Sequence, residues 1–279
     1  MKFHDFRKGL AVAGAALLFA APANAAPGKA EILDSYADIA AATYGDALTT
    51  AQTLKTRIDA LLANPGDETL AAAKQAWLAA RVPYQQSEAF RFGNPIVDDW
   101  EGKVNSWPLD EGLIDYVDAS YGESSEQNDL YTANVIANKT LIVAGKQVDA
   151  SKITKTLISE TLHEAGQIEA NVATGYHVIE FLLWGQDLNG TGPGNGARPA
   201  TDYDTANCTG GNCDRRADYL RAATELLVDK LQWMADQWKD GGKARSDLLA
   251  NEDAGIAAIF TGMGSLSYGE LAGERMKLG

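Results

Sequence analysis

Residues 29–63, KAEILDSYADIAAATYGDALTTAQTLKTRIDALLA, decide the fold class. Within them Ile32, Tyr36, Ile39, Thr43, Ala47, Ala51, Leu54, Ile58, Leu61 and Leu62 recur at intervals of three and four, and the pattern stops at Asn64-Pro65-Gly66. A 3.6-residue period held over that length predicts an amphipathic helix. The pattern then repeats: a second helix is expected from Asp67 through Leu70, Ala73, Trp77, Ala80 and Tyr84, ending near Phe92-Gly93-Asn94-Pro95. Pro83 should kink it, because its ring removes an amide donor. Near the other end of the chain, Tyr219, Leu220, Ala223, Leu227, Leu231, Met234 and Trp238 mark a further strong helix, and a last one is expected over about 252–275. Helices are also expected at about 128–144, 152–166 and 169–184. No convincing strand alternation or internal repeat interrupts them, so the predicted class is all-α, antiparallel helices packed as a bundle.

Two stretches lack a period. Residues 94–123, NPIVDDWEGKVNSWPLDEGLIDYVDASYGE, mix two tryptophans with many carboxylates and read as an ordered, irregular connection with short helical turns. Residues 188–213, rich in Gly, Asn, Thr and Asp, read as a long surface loop. Its end carries the chain's two cysteines, Cys208 and Cys213, expected to form a small disulfide in an oxidising compartment.

That compartment is inferred from the start of the chain. Lys2, Arg7 and Lys8 precede an apolar run from Gly9 to Ala21 and a small-residue Ala23-Asn24-Ala25 site, the pattern of a signal peptide over residues 1–25. The run falls short of the ~20 apolar residues needed to span a bilayer, and no later segment approaches that length. Export to the periplasm or cell envelope is therefore expected, with peripheral association with the outer membrane left open. Cleavage deletes Lys2, Arg7, Lys8 and Asp5, a net of +2, and takes the formal charge from −14 to −16. Such a surface repels nucleic acid and concentrates cations. About 250 remaining residues suffice for one large domain or two small ones.

Three histidines exist, and His4 lies in the leader. His163 opens a His163-Glu164-Ala165-Gly166-Gln167 run in which Gln167 stands where the zinc-protease helix needs a second histidine, so that chelate cannot form, and His163 reads as an exposed helical residue. His177 and Glu180 differ: three apart in an otherwise apolar run, they share a helical face and can meet one metal ion. The same spacing suits a histidine and a glutamate bonded to each other in the core. Burial among Val178, Ile179, Phe181, Leu182 and Leu183 would demand a partner for the carboxylate. With at most two imidazoles, any site leans on oxygen donors, which favours hard or borderline cations.

The run GYHVIEFLLWGQD (175–187), together with residues 81–117 and GMGSLSYGELAGERM (262–276), resembles the imelysin family, whose signature is G-x-H-x-x-E and which includes iron-regulated envelope proteins and is catalogued among metallopeptidases. The resemblance spans essentially all of residues 26–279. It implies two helical bundles related by duplication, with a boundary in the 188–213 loop and the signature at a cleft between them. It further implies metal ligands at His177 and Glu180, with Glu88 as a third. Asp110, Glu111, Glu270, Glu274 and Arg275 are expected around the same cleft, and Asp187 is expected to orient the imidazole. The family pattern continues past Gly279, so the chain is expected to be C-terminally truncated and its second bundle incomplete. The function implied is an exported metal-binding protein for iron uptake or homeostasis, with iron the expected ion, zinc or calcium the alternatives, and a metal chelate or an envelope transport protein as partner. A metallopeptidase using Glu180 as base is the alternative reading, and a non-catalytic partner-binding helical module the third.

Overall fold

The computed structural model describes residues 26–276, so the signal peptide inferred for residues 1–25 lies outside the described residues. Helix α1 (Lys29–Ala63) starts where the Glu31 carboxylate accepts the Gly28 N–H at 3.0 Å. Its buried stripe is Leu33, Ala37, Ala40, Tyr44, Ala47, Ala51, Leu54, Ile58 and Leu61. The expected stripe therefore holds from Ala47 onward but is displaced before it, and Ile39 is 59% exposed. The reason is packing: α1 lies against both α2 (Asp67–Gln86) and α6 (Cys213–Trp238), and small alanines, not the bulkiest side chains, fill a close helix contact. Helix α2 runs through Pro83 and gives way at Ser87 to a short 3-10 turn. In α6 every residue of the expected stripe is buried.

Residues 94–123 are more regular than their sequence suggests. Pro95, preset for a first helical turn, opens the three-turn helix α3 (Pro95–Asn105), which buries Val97, Trp100 and Val104. A single turn, α4 (Glu111–Ile114), follows. The core beneath is aromatic, with Tyr44 edge-on to Trp100 at 6.0 Å and stacked with Trp238 at 6.4 Å.

The helix expected at 128–144 is absent. Turns run to residue 138, and a hairpin of β1 (Thr140–Val143) and β2 (Lys146–Asp149) pairs Val143 with Lys146. Ala144 and Gly145 both have positive φ, the two-residue loop whose twist suits antiparallel strands. Non-helical backbone leaves carbonyls unpaired, and Arg215 on α6 takes five of them, donating to Val135, Ile136, Ala150 and Ser151 at 2.6–2.8 Å and to Asn138 at 3.3 Å. The segment expected at 152–166 is a short π-helix, Leu157–Leu162, that ends at His163 on extended backbone. Of 169–184, only Tyr176–Trp184 is helical (α5).

Residues 188–213 run largely over the surface, as expected, but are anchored at their centre. Arg198 and Asp202 are buried, and Arg198 donates to Asp115 and Asp202 at 2.7 and 2.9 Å. Arg216 of α6 grips the same Asp115 with two bonds of 2.6 and 2.9 Å. Glycine and asparagine content signalled a turn-rich path but not this ionic anchor. The Cys208–Cys213 disulfide is formed and closes the loop onto the first residue of α6. Helices α7 (Lys243–Leu249) and α8 (Glu252–Gly264) follow, the latter capped by Asn251 and extended by a π-helical segment, Ser265–Arg275. The fold is thus helical with one small two-stranded sheet among the described residues. No described helix is long and apolar enough to cross a membrane.

Candidate functional site

Helix α5 begins at Gly175, whose φ of +93° and close approach to α3 both exclude a side chain: a Cβ there would stand 2.4 Å from the Val104 carbonyl oxygen. The glycine of the signature therefore lets α5 start against the end of α3. From that start Val178, Ile179, Leu182 and Leu183 enter the core, while the i, i+3, i+4, i+7 stripe of His177, Glu180, Phe181 and Trp184 lines a cavity of about 1160 Å³. The facing wall is α2, through the same spacing: Lys74, Trp77, Leu78 and Arg81. Trp77 joins the two helices, donating from Nε1 to the Tyr176 carbonyl at 2.9 Å and meeting Trp184 edge-on at 5.4 Å.

His177 and Glu180 are bonded to each other, with Nδ1 to Oε2 at 3.0 Å, and Trp107 packs 5.0 Å from the imidazole. With Glu180 ionised, Nδ1 carries the proton and Nε2 keeps its lone pair, the arrangement in which a carboxylate orients a ligating histidine. The side chain of Glu180 remains 41% exposed. Burial therefore does not by itself demand a cation at Glu180, as the apolar neighbours in sequence implied, because alternate helical positions point into the core and these into the cleft.

Glu88, Glu111, Asp187, Glu270 and Arg275 also line the cavity. Glu88 is paired with Arg275 at 2.5 Å, and Asp187 accepts from Asn189, whereas Glu180 is the carboxylate bonded to the His177 ring. Asp110 is turned to Asn128, which donates to it at 2.5 Å, and Glu274 lies exposed on the terminal π-helical segment. Among the described residues no three His, Cys, Asp or Glu side chains converge as a metal-binding group. Burial raises the pKa of Glu111 to about 7; the Arg198 cation opposes the rise, and Asp187 and Glu180 add to it.

Residues that sequence reasoning missed are the cations and aromatics of the opposite wall. Lys74 lies 5.3 Å from the Trp184 ring centroid, and Arg81 stacks 5.0–5.7 Å from Tyr176, Tyr84 and Trp77 while donating to Asn105. Their spacing on α2 was visible, but only the structure shows that α5 faces it. His163 is not an exposed helical residue: its Nε2 meets the Gly102 carbonyl at 3.1 Å and its Nδ1 accepts from Ala173 N–H at 3.3 Å. Desolvation lowers its pKa.

The sequence profile of the imelysin family, Peptidase M75, matches residues 40–279. The chain belongs to the imelysin family. Iron-regulated protein A of Synechococcus elongatus is 31% identical over 108 residues, which make up 38% of this chain and 30% of that protein. A crystal structure described as an iron-regulated protein A precursor from Parabacteroides distasonis superposes with a TM-score of 0.55 at 22% identity, over 88% of this chain and 60% of the other, a likeness of fold. The chain thus spans less than two thirds of the length of either imelysin relative.

Proposed function

We propose that this imelysin-family chain is an exported cell-envelope protein that binds iron as cargo, for uptake or homeostasis, in the cleft between α2 and α5. The observation that carries the reading is the His177–Glu180 pair at 3.0 Å on the wall of a large cavity, with Nε2 left without a hydrogen-bond partner among the described residues. Nε2 supplies a borderline nitrogen donor, Glu180 holds the tautomer, and Glu111 and Asp187 add negative potential in the same cavity. The iron-regulated name of the Synechococcus relative agrees with iron as the ion. Equilibrium dialysis against ferrous ion under anaerobic conditions, followed by elemental analysis, tests it. Wild type should retain one ion per chain and His177→Ala none, with Glu180→Gln weakened by about 10- to 100-fold; equal retention by all three would remove the pair from the site.

A metallopeptidase is the second reading, favoured by the place of Glu111 in the wall of the same cavity as His177 and Glu180. Burial pushes its carboxyl up to about 7, in the range a general acid or base uses. Chelator-sensitive cleavage of a protein substrate, lost in a Glu111→Gln chain that still carries the ion, would establish it.

A further inference from the structure

Four cations line the cleft: Lys74, Arg81, Arg91 and Arg275. Two are neutralised in place, Arg91 by Asp98 and Glu101 and Arg275 by Glu88 and Glu270. Lys74 and Arg81 have no carboxylate within 4.0 Å among the described residues, although acidic residues outnumber basic ones 38 to 24 in this chain. Both project from α2 onto aromatic rings of α5, Lys74 over Trp184 and Arg81 over Tyr176, on the wall facing His177 and Glu180. Lys74 is also partly desolvated, which lowers its pKa, so its charge is held against a penalty that no protein carboxylate offsets. A wall of this kind suits an anion with an organic body. The cavity, about 1160 Å³, matches a small molecule and far exceeds a single ion, and Trp77, Trp107 and Trp184 supply apolar surface to cover it. On the other wall the protein offers an imidazole and its bonded glutamate with no third converging donor among the described residues, so an ion seated there needs donors from elsewhere.

We propose that the cleft takes an anionic metal chelate, an ion already held by a carboxylate-bearing small molecule, with the ion toward His177 and the anionic groups on Lys74 and Arg81. The inference rests on the metal reading of His177 and adds what accompanies the ion. The test is a titration followed by quenching of the tryptophans that line the cleft, with three probes: ferric citrate, metal-free citrate, and ferrous ion alone under anaerobic conditions. Ferric citrate should bind at least tenfold more tightly than either other probe. Lys74→Gln and Arg81→Gln should each weaken it roughly tenfold or more, the loss of one charged hydrogen bond, while ferrous ion binding is unchanged, and Lys74→Arg should restore it. Because Arg81 also packs on buried rings, Lys74→Gln alone decides the outcome if Arg81→Gln unfolds. Ferric citrate that fails to bind, or that binds Lys74→Gln as wild type, overturns the proposal. Equal binding of metal-free citrate overturns it in favour of a plain organic-anion site. The underlying metal reading fails separately, when His177→Ala leaves ferrous ion and ferric citrate binding both unchanged.

Discussion

Replacing Glu111 by Gln isolates the electrostatic cost of the cleft. The Glu111 carboxyl titrates at about 7 against an ordinary 4.5, first because burial disfavours its charge, with Arg198 opposing and Asp187 and Glu180 reinforcing. A raised folded-state value means that the native chain holds this proton more tightly than the unfolded chain. The associated stability is therefore full below pH 4.5 and is lost as pH rises through about 7. Taken at face value, the displacement corresponds to about 3 kcal/mol at 1.36 kcal/mol per pH unit. Glu111 is only partly buried, so solvent screening reduces the expected figure to roughly 1–2 kcal/mol. Gln keeps the shape and cannot ionise. Urea melts of wild type and Glu111→Gln at pH 4, 5, 6, 7 and 8 should coincide at pH 4 and separate above pH 5, with the variant more stable by about 1–2 kcal/mol at pH 8. Curves that stay parallel across this range, or a wild type that is the more stable at pH 8, would refute the placement of a desolvated carboxyl at the cleft. A cation bound nearby favours the ionised form, so the same proton should be released on metal binding.

Three other outcomes follow from the same structure. Asp115→Asn leaves Arg198 and Arg216 without their shared buried carboxylate and should cost about 3–5 kcal/mol in a urea melt, whereas Asp98→Asn on the surface should cost under about 1 kcal/mol. His163 has a lowered folded-state pKa, so its contribution is complete above pH 6.5 and is lost as pH falls from there toward that lower value; His163→Gln should flatten the wild-type decline in that window, read by thermal melts at pH 7.5 and 5.5. Reducing Cys208–Cys213, five residues apart, should lower stability by about 2 kcal/mol from loop-closure entropy, and the Cys208→Ser/Cys213→Ser double variant should match the reduced protein.

Periodicity made the long helices legible. In α6 the expected stripe from Tyr219 to Trp238 is the buried one, because large apolar residues carry that interface. In the first half of α1 the same reasoning chose Ile32 and Ile39 over Ala37 and Ala40, since a close helix contact rewards small side chains that composition discounts. The helix expected at 128–144 failed for a different reason: Asn134 and Ala144 adopt positive φ, and Arg215 supplies the partners a helix would have supplied itself. Ala144-Gly145 is not a usual hairpin dipeptide, and Lys146-Gln147-Val148-Asp149 carries little strand propensity, so the turn was not legible. At the cleft, the glycine, histidine and glutamate of the signature were visible because their spacing is local. Lys74 and Arg81 were not, because their meaning depends on a helix about a hundred residues away.

Whether His177 meets the metal through Nε2 while Glu180 holds Nδ1–H can be read by nitrogen-15 NMR of histidine side chains, practical in a chain with three histidines. At pH 7.5 the His177 ring should show the Nδ1-protonated tautomer. One equivalent of ferrous ion, added anaerobically, should broaden or shift its Nε2 resonance and leave the His163 ring, bonded to Gly102 and Ala173, unmoved. A His177 ring with the proton on Nε2, or one whose resonances stay unchanged while iron is retained, would be incompatible with iron binding at this pair.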